Sequence, residues 1–207
     1  MAARGAALIA AEARAAVAER GRFALALSGG RTPWAMLSLV ASEDVPWHAV
    51  DVFQVDERDA PDGHPERNLT HLRAALGPGV RIHPMPVQGD LDSAAAAYGA
   101  LLPETLDLVQ LGLGADGHTA SLVPGDPVLD VVDRPVAVTG PYHGRRRLTL
   151  TLPTLAGARL VLWVVTGRDK SDALRRLRAG DVSIPATRVR ARRQLLLADR
   201  SAAESRP

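Results

Sequence analysis

The residues best equipped for chemistry lie in a glycine-rich stretch at 111–125, Leu-Gly-Leu-Gly-Ala-Asp-Gly-His-Thr-Ala-Ser-Leu-Val-Pro-Gly, directly after an apolar run. Asp116 and His118 are two residues apart in it. A carboxylate beside an imidazole orients the ring and raises its basicity, which equips the pair to activate water. The glycine amides of the loop can donate to a developing oxyanion. An Asp-X-His pair can also ligate a metal, but no third convergent ligand is legible and no metal is expected. His48, His64, His71, His83 and His143 have no comparable setting and receive no assignment.

Two more segments follow apolar runs. In Leu-Ser-Gly-Gly-Arg-Thr-Pro at 27–33, Thr32 suits a helix N-cap and Pro33 the first helical position. Ser28, Gly29 and Gly30 let the backbone approach a ligand, and the positive end of the helix dipole favours an anion there. The same glycines also suit a bare strand-to-helix turn. The segment lacks the Gly-Lys-Ser/Thr ending of a nucleotide P-loop, so ATP is not expected. In Val-Asp-Glu-Arg-Asp-Ala-Pro at 55–61, Asp56 can orient a catalytic group or a sugar hydroxyl. Arg58 can clamp phosphate through its planar fork. A solvated loop with local ion pairs is the alternative. Asn68 is either a hydroxyl ligand or an ordinary surface residue.

Two basic features complete the set. Arg147 adjoins an alternating run and is the better phosphate ligand of Arg145, Arg146 and Arg147, the other two reading as solvated charges. Lys170, the only lysine of the chain, follows the apolar run that ends at Thr166 and Gly167. The arginines at 188, 190, 192 and 193 have no interleaved aromatics and read as a basic surface stretch.

The elements that must position these groups alternate between short Val/Leu-rich runs and helix-like segments. Strands are expected over 23–27, 50–55, 106–111, 160–166 and 194–198, and helices over 2–20, 33–40, 66–76, 93–102 and 169–177. The fold class is therefore α/β, a mainly parallel twisted sheet flanked by helices and Rossmann-like in layout. The strict alternation at 148–152, ending at Pro153, adds a half-exposed strand near an edge of a mixed sheet. The 207 residues, 46% hydrophobic and without an internal linker, form one domain over 1–207, with the tail from 201 frayed.

Cysteine is absent, which removes disulfides and thiolate chemistry and suits a reducing cytoplasm. A transit peptide is disfavoured by Glu12 and Glu19, and no apolar run approaches a membrane span. The net charge of +2 gives little reason to expect a nucleic acid.

Taken together and in this order, the segments resemble the 6-phosphogluconolactonase family. The matching pieces are residues 28–33, 56–58, 112–125, 147–151 and 166–170, spread over most of the chain. The resemblance implies a cofactor-free hydrolase that opens 6-phosphoglucono-1,5-lactone in the oxidative pentose phosphate pathway, with a small sugar-phosphate lactone as partner and neither nucleic acid nor membrane. It implies His118 as general base, Asp116 orienting it and Asp56 in hydroxyl binding or support. Ser28, Gly29, Gly30, Thr32, Arg58, Asn68, Arg147 and Lys170 form the pool for substrate anchoring.

Two positions depart from the family pattern: Val123, where Phe is common, and Arg67, where a small polar residue is usual. Amino-sugar phosphate deaminases share the first turn and the Asp-Gly-His loop but carry an acid just after the histidine, and residues 119–125 contain none. A sugar-phosphate sensor of a transcriptional regulator needs a helix-turn-helix, for which the first strand at Phe23 leaves no room.

Overall fold

The computed structural model describes residues 1–204. The Ala-rich opening forms helix α1 (Ala2–Arg20), as its high helix propensity favours. It stops at Gly21, whose φ of 73° closes a left-handed cap with its N–H donating to Val17 O. Six parallel strands follow, each reached through a crossover: β1 (Phe23–Leu27), β2 (Val50–Gln54), β4 (Arg81–His83), β5 (Leu108–Leu111), β8 (Leu160–Val165) and β9 (Gln194–Ala198). Their order in the sheet is β4-β2-β1-β5-β8-β9. Strands β1, β5 and β8 are buried at every position, as expected of apolar runs covered on both faces.

One face is covered by α1, α2 (Arg31–Val40) and α3 (Asn68–Leu76), which contribute Ile9, Met36, Leu37 and Leu72 to its core. The other is covered by α4 (Leu91–Leu101), α6 (Ser171–Ala179) and a second, three-stranded antiparallel sheet, through residues such as Tyr98, Leu150 and Leu174. That second sheet has the order β3-β7-β6, with β3 (Asp56–Arg58), β6 (Val136–Val138) and β7 (Arg147–Leu150). The short helix α5 (Leu152–Ala156) leads from it into β8.

The parallel α/β layout is the one expected; β4 and β6 come in addition to the expected strands, and three expectations fail. The alternating run is not a half-exposed edge of a mixed sheet: β7 is the central strand of the second sheet and is buried at all four positions. Alternation misleads because the polar face of β7 meets protein, where Thr149 Oγ1 accepts from Ser121 N at 3.3 Å and donates to Leu150 O at 3.1 Å. The strand expected over 50–55 divides, β2 ending at Gln54 and β3 leaving for the second sheet at Asp56. The tail does not fray from Ser201, since helix α7 (Arg200–Ala203) buries Ala202 and is capped by Asp199. Residues 205–207 lie outside the described residues.

Strand order reverses between β1 and β5: the chain builds outward to β2 and β4 on one side, then to β5, β8 and β9 on the other. Open α/β sheets bind ligands at the carboxyl ends of the strands at such a point. The loops after β1 and β5 are the two glycine-rich segments.

Thr149→Val keeps the shape of the side chain but strands the buried Ser121 amide, so it is expected to cost about 1–3 kcal/mol in urea unfolding. A solvent-facing threonine would lose no more than about 0.5 kcal/mol.

Candidate active site

The two glycine-rich loops, β3, the start of α3, the start of β7 and the Lys170 turn enclose a cavity of about 250 Å³. Ser28, Gly29, Gly30, Asp56, Arg58 and Asn68 line it, with His118, Arg147 and Lys170 completing the expected set. Asp116 stands behind His118. Only Thr32 is elsewhere: its hydroxyl pairs with Thr166 Oγ1 at 2.6 Å, tying α2 to the turn that carries Lys170. Thr32 is not the N-cap either. Gly30 takes that position with a φ of 125°, placing Pro33 third in the helix, and no side chain caps the first amides of α2.

His118 Nδ1 lies 2.6 Å from Asp116 Oδ1. A carboxylate accepts only, so Nδ1 carries the proton and Nε2 keeps its lone pair for an incoming acid. Asp116 also accepts from the His118 amide at 3.1 Å. Burial works to raise the Asp116 pKa, but this amide and the imidazole outweigh it and leave the carboxyl below its ordinary value. Gly114 makes the contact possible, because a Cβ there would fall 2.0 Å from His118 Nδ1 and 2.5 Å from Asp116 Oδ1. Two of the loop's glycine amides are taken by its own carbonyls: Gly114 N donates to His118 O at 2.8 Å and Gly117 N to Gly114 O at 3.0 Å.

The opposite wall is a polar chain. Arg58 Nη1 donates to Asn68 Oδ1 at 2.7 Å, and Asn68 Nδ2 donates to Asp56 Oδ1 at 3.2 Å. Ser121 Oγ donates to Asp56 Oδ2 at 2.6 Å, and Arg147 Nη1 reaches Ser121 Oγ at 3.4 Å. Asp56 thus serves Asn68 and Ser121 rather than His118. A Cβ on Gly29 would sit 2.0 Å from Asn68 Oδ1, so glycine is required for the first loop to close on this wall.

The antiparallel pairing of β3 with β7 sets Arg58 directly opposite Arg147. Like charges in that position are unfavourable unless something neutralises them. Burial lowers the Arg147 pKa, Asp56 opposes that and Arg58 adds to it, yet a guanidinium stays protonated throughout. Among the described residues, Arg147 Nε and Ser28 Oγ are buried with no hydrogen-bond partner. The two facing arginines and Lys170, whose Nζ lies 3.0 Å from Asp169 Oδ2, gather positive charge at this end of the cavity. Among the described residues, no group of three or more His, Asp or Glu side chains gathers where it could hold a metal. No helix among them is long and apolar enough to cross a membrane.

Sequence reasoning named Asp56 and Arg58 but gave no role to Glu57 between them. Glu57 is fully buried. Its Oε1 accepts from the amides of Arg58 and Asn68, each at 2.8 Å, and its Oε2 from Leu69 N and Gln54 Nε2, each at 2.9 Å. Arg67 Nε lies 3.0 Å from the same Oε2, so the departure at 67 is the counter-ion of Glu57. Ser121 lies within the glycine-rich motif, where its residue type alone signals no role. Trp34, which lines the cavity, had no signal beyond following Pro33.

Residues 1–197 match the family of glucosamine-6-phosphate isomerases/6-phosphogluconolactonase, and the chain belongs to it. It is 40% identical over 175 residues to a 6-phosphogluconolactonase of Synechocystis, covering 77% of this chain and 72% of the relative. To that of Mycobacterium tuberculosis it is 37% identical, over 93% and 89% of the two chains. The structure of the Trypanosoma brucei 6-phosphogluconolactonase superposes with a TM-score of 0.86 at 25% identity, over 98% and 95%.

Glu57→Gln leaves the Arg67 charge buried without its counter-ion and is expected to cost about 3–5 kcal/mol in urea unfolding. Glu57→Gln/Arg67→Met should recover part of that loss. No recovery would show that the carboxylate matters through its hydrogen bonds rather than through the Arg67 charge.

Proposed function

We propose that the chain hydrolyses 6-phospho-D-glucono-1,5-lactone to 6-phospho-D-gluconate, the lactone-opening step of the oxidative pentose phosphate pathway, with His118 as general base. The observation that carries the reading is one cavity lined by both His118, held through Asp116, and by the Arg58, Arg147 and Lys170 cations. A base alone fits many hydrolases and cations alone fit many phosphate binders. Their combination fits a phosphorylated substrate whose reacting group accepts water.

In this mechanism Nε2 of His118 takes a proton from water as its oxygen adds to the lactone carbonyl. The tetrahedral intermediate collapses by breaking the bond to the ring oxygen, and the imidazolium returns the proton to that oxygen, which becomes a hydroxyl of the open acid. Asp116 holds Nδ1–H and favours the imidazolium that forms between the two transfers. The phosphate lies against Arg58, Arg147 and Lys170, while Asn68 and Asp56 face the sugar hydroxyls. Every transfer is assigned to residues of this chain, and the substrate is a small sugar phosphate.

Freshly generated lactone opens by itself, so the test is acceleration above background. His118→Ala should lower turnover by roughly 10²- to 10⁴-fold, the usual contribution of a general base. Turnover close to wild type would sink the assignment, and ammonia release from glucosamine 6-phosphate in a parallel assay would move it to the deaminase branch of the family. Asp116→Asn tests the tautomer: an amide can donate to Nδ1 and push the proton onto Nε2, so about a hundredfold or greater fall in kcat with little change in KM is expected.

A further inference from the structure

Tyr142 belongs to none of the segments that suggested a function, yet it touches both halves of the site. Its ring stands edge-on to the His118 imidazole, with centroids 5.6 Å apart at 64°. The Arg147 guanidinium carbon lies 5.0 Å from the centre of the same ring, within cation–π range. One aromatic side chain thus bridges the base and one of the cavity's cations.

The backbone holds that ring in place. Tyr142 and Arg145 exchange backbone hydrogen bonds, Tyr142 N to Arg145 O at 2.9 Å and Arg145 N to Tyr142 O at 3.4 Å. Between them His143 and Gly144 have φ values of 51° and 77°, the two positive angles that a tight primed hairpin turn requires. The hairpin is tied down on both arms. Gly140 N donates to Asp126 Oδ2 at 2.9 Å, Arg145 Nε to Glu66 Oε2 at 2.5 Å and Arg145 Nη1 to Asp59 O at 3.1 Å. Burial and then the Asp116 charge raise the Tyr142 pKa, with Arg147 opposing, so the phenol stays neutral.

We infer that Tyr142 is a positioning residue whose ring fixes the orientation of His118 and packs against Arg147, setting the base in register with the bound anion. His118 is about a quarter exposed, and the one hydrogen bond its ring makes is from Nδ1 to Asp116. That bond leaves the ring free to rock about the hydrogen-bond axis. An aromatic edge against its side removes the motion, and a displacement of about 1 Å at a reacting group can cost a hundredfold.

This inference rests on the reading of His118 as the base of lactone hydrolysis, and the test separates the two. Lactone kinetics are compared for wild type, Tyr142→Phe, Tyr142→Ala, His118→Ala and the Tyr142→Ala/His118→Ala double variant, with thermal midpoints for each. Tyr142→Ala should lower kcat about 10- to 100-fold, and Tyr142→Phe should restore it to within about threefold of wild type. In the His118→Ala background the tyrosine substitution should change kcat by less than about twofold, because a residue acting through His118 has nothing left to position. An equal fall in both backgrounds would show a merely structural role and overturn the inference. So would a Tyr142→Phe variant as slow as Tyr142→Ala, which would place the effect in the hydroxyl. If His118→Ala matched wild type, the base assignment would fail first and take the inference with it. A wild-type rate for Tyr142→Ala beside a slow His118→Ala would remove the tyrosine alone.

Discussion

A single buried carboxylate holds the anion-facing wall together. Glu57 is fully withdrawn from water, and an ion in that position survives only with its lone pairs filled. Four hydrogen bonds fill them, and the Arg67 guanidinium, with Nε 3.0 Å from Oε2, balances the charge. Two of those donors are the first amides of α3, where the helix dipole favours negative charge. The carboxylate therefore fixes β3 against the start of α3, and that junction places Asp56 and Arg58 on one side of the wall and Asn68 on the other. Without it the Arg58–Asn68–Asp56 chain would have no common frame.

The second sheet turns that frame into a site. A parallel α/β sheet alone offers the crevice between the loops after β1 and β5, lined mainly by backbone. Chain leaving β2 at Gln54 crosses to pair with β7, and this brings Arg147 opposite Arg58. Lys170 arrives from the turn after β8, which is anchored by Gly167 N donating to Asp199 at 3.2 Å and by the Thr32–Thr166 hydroxyl pair. Cations from three remote parts of the sequence meet in the assembled fold, no single motif containing all three.

This explains which parts were legible in the sequence. The β1 and β5 loops were readable because their chemistry is local: glycine where the backbone must approach, aspartate two residues before histidine, an apolar strand before each. Parallel strands were readable because burial on both faces leaves continuous apolar runs. Alternation at 148–152 was read as exposure, since a period of two reports that the faces differ and not that one is wet. Thr32 was read as a cap from its place before Pro33, whereas Gly30 could take a backbone angle closed to threonine. Glu57, Arg67 and Tyr142 were missed because each acts on groups brought near by tertiary structure. The departure at Arg67 was the one visible trace of them, an unusual charge whose partner lay ten residues away.

The two ends of the site accordingly differ in how they are built. Asp116 and His118 share one loop closed by its own backbone bonds, so the hydrogen bond between them is made within residues 112–119, while the ring's edge meets Tyr142 from outside it. The cation end exists only in the assembled fold, and there it stores repulsion: Arg58 and Arg147 face each other with Arg147 Nε and Ser28 Oγ unpaired. An unfolded chain keeps these charges apart in water, so the repulsion burdens the folded state alone. An anion in the cavity relieves it, and whatever binds the folded state and not the unfolded one adds to stability by mass action. On the proposed reading the substrate phosphate eases the Arg58–Arg147 repulsion, and the binding energy released there is available to hold the lactone carbonyl against His118.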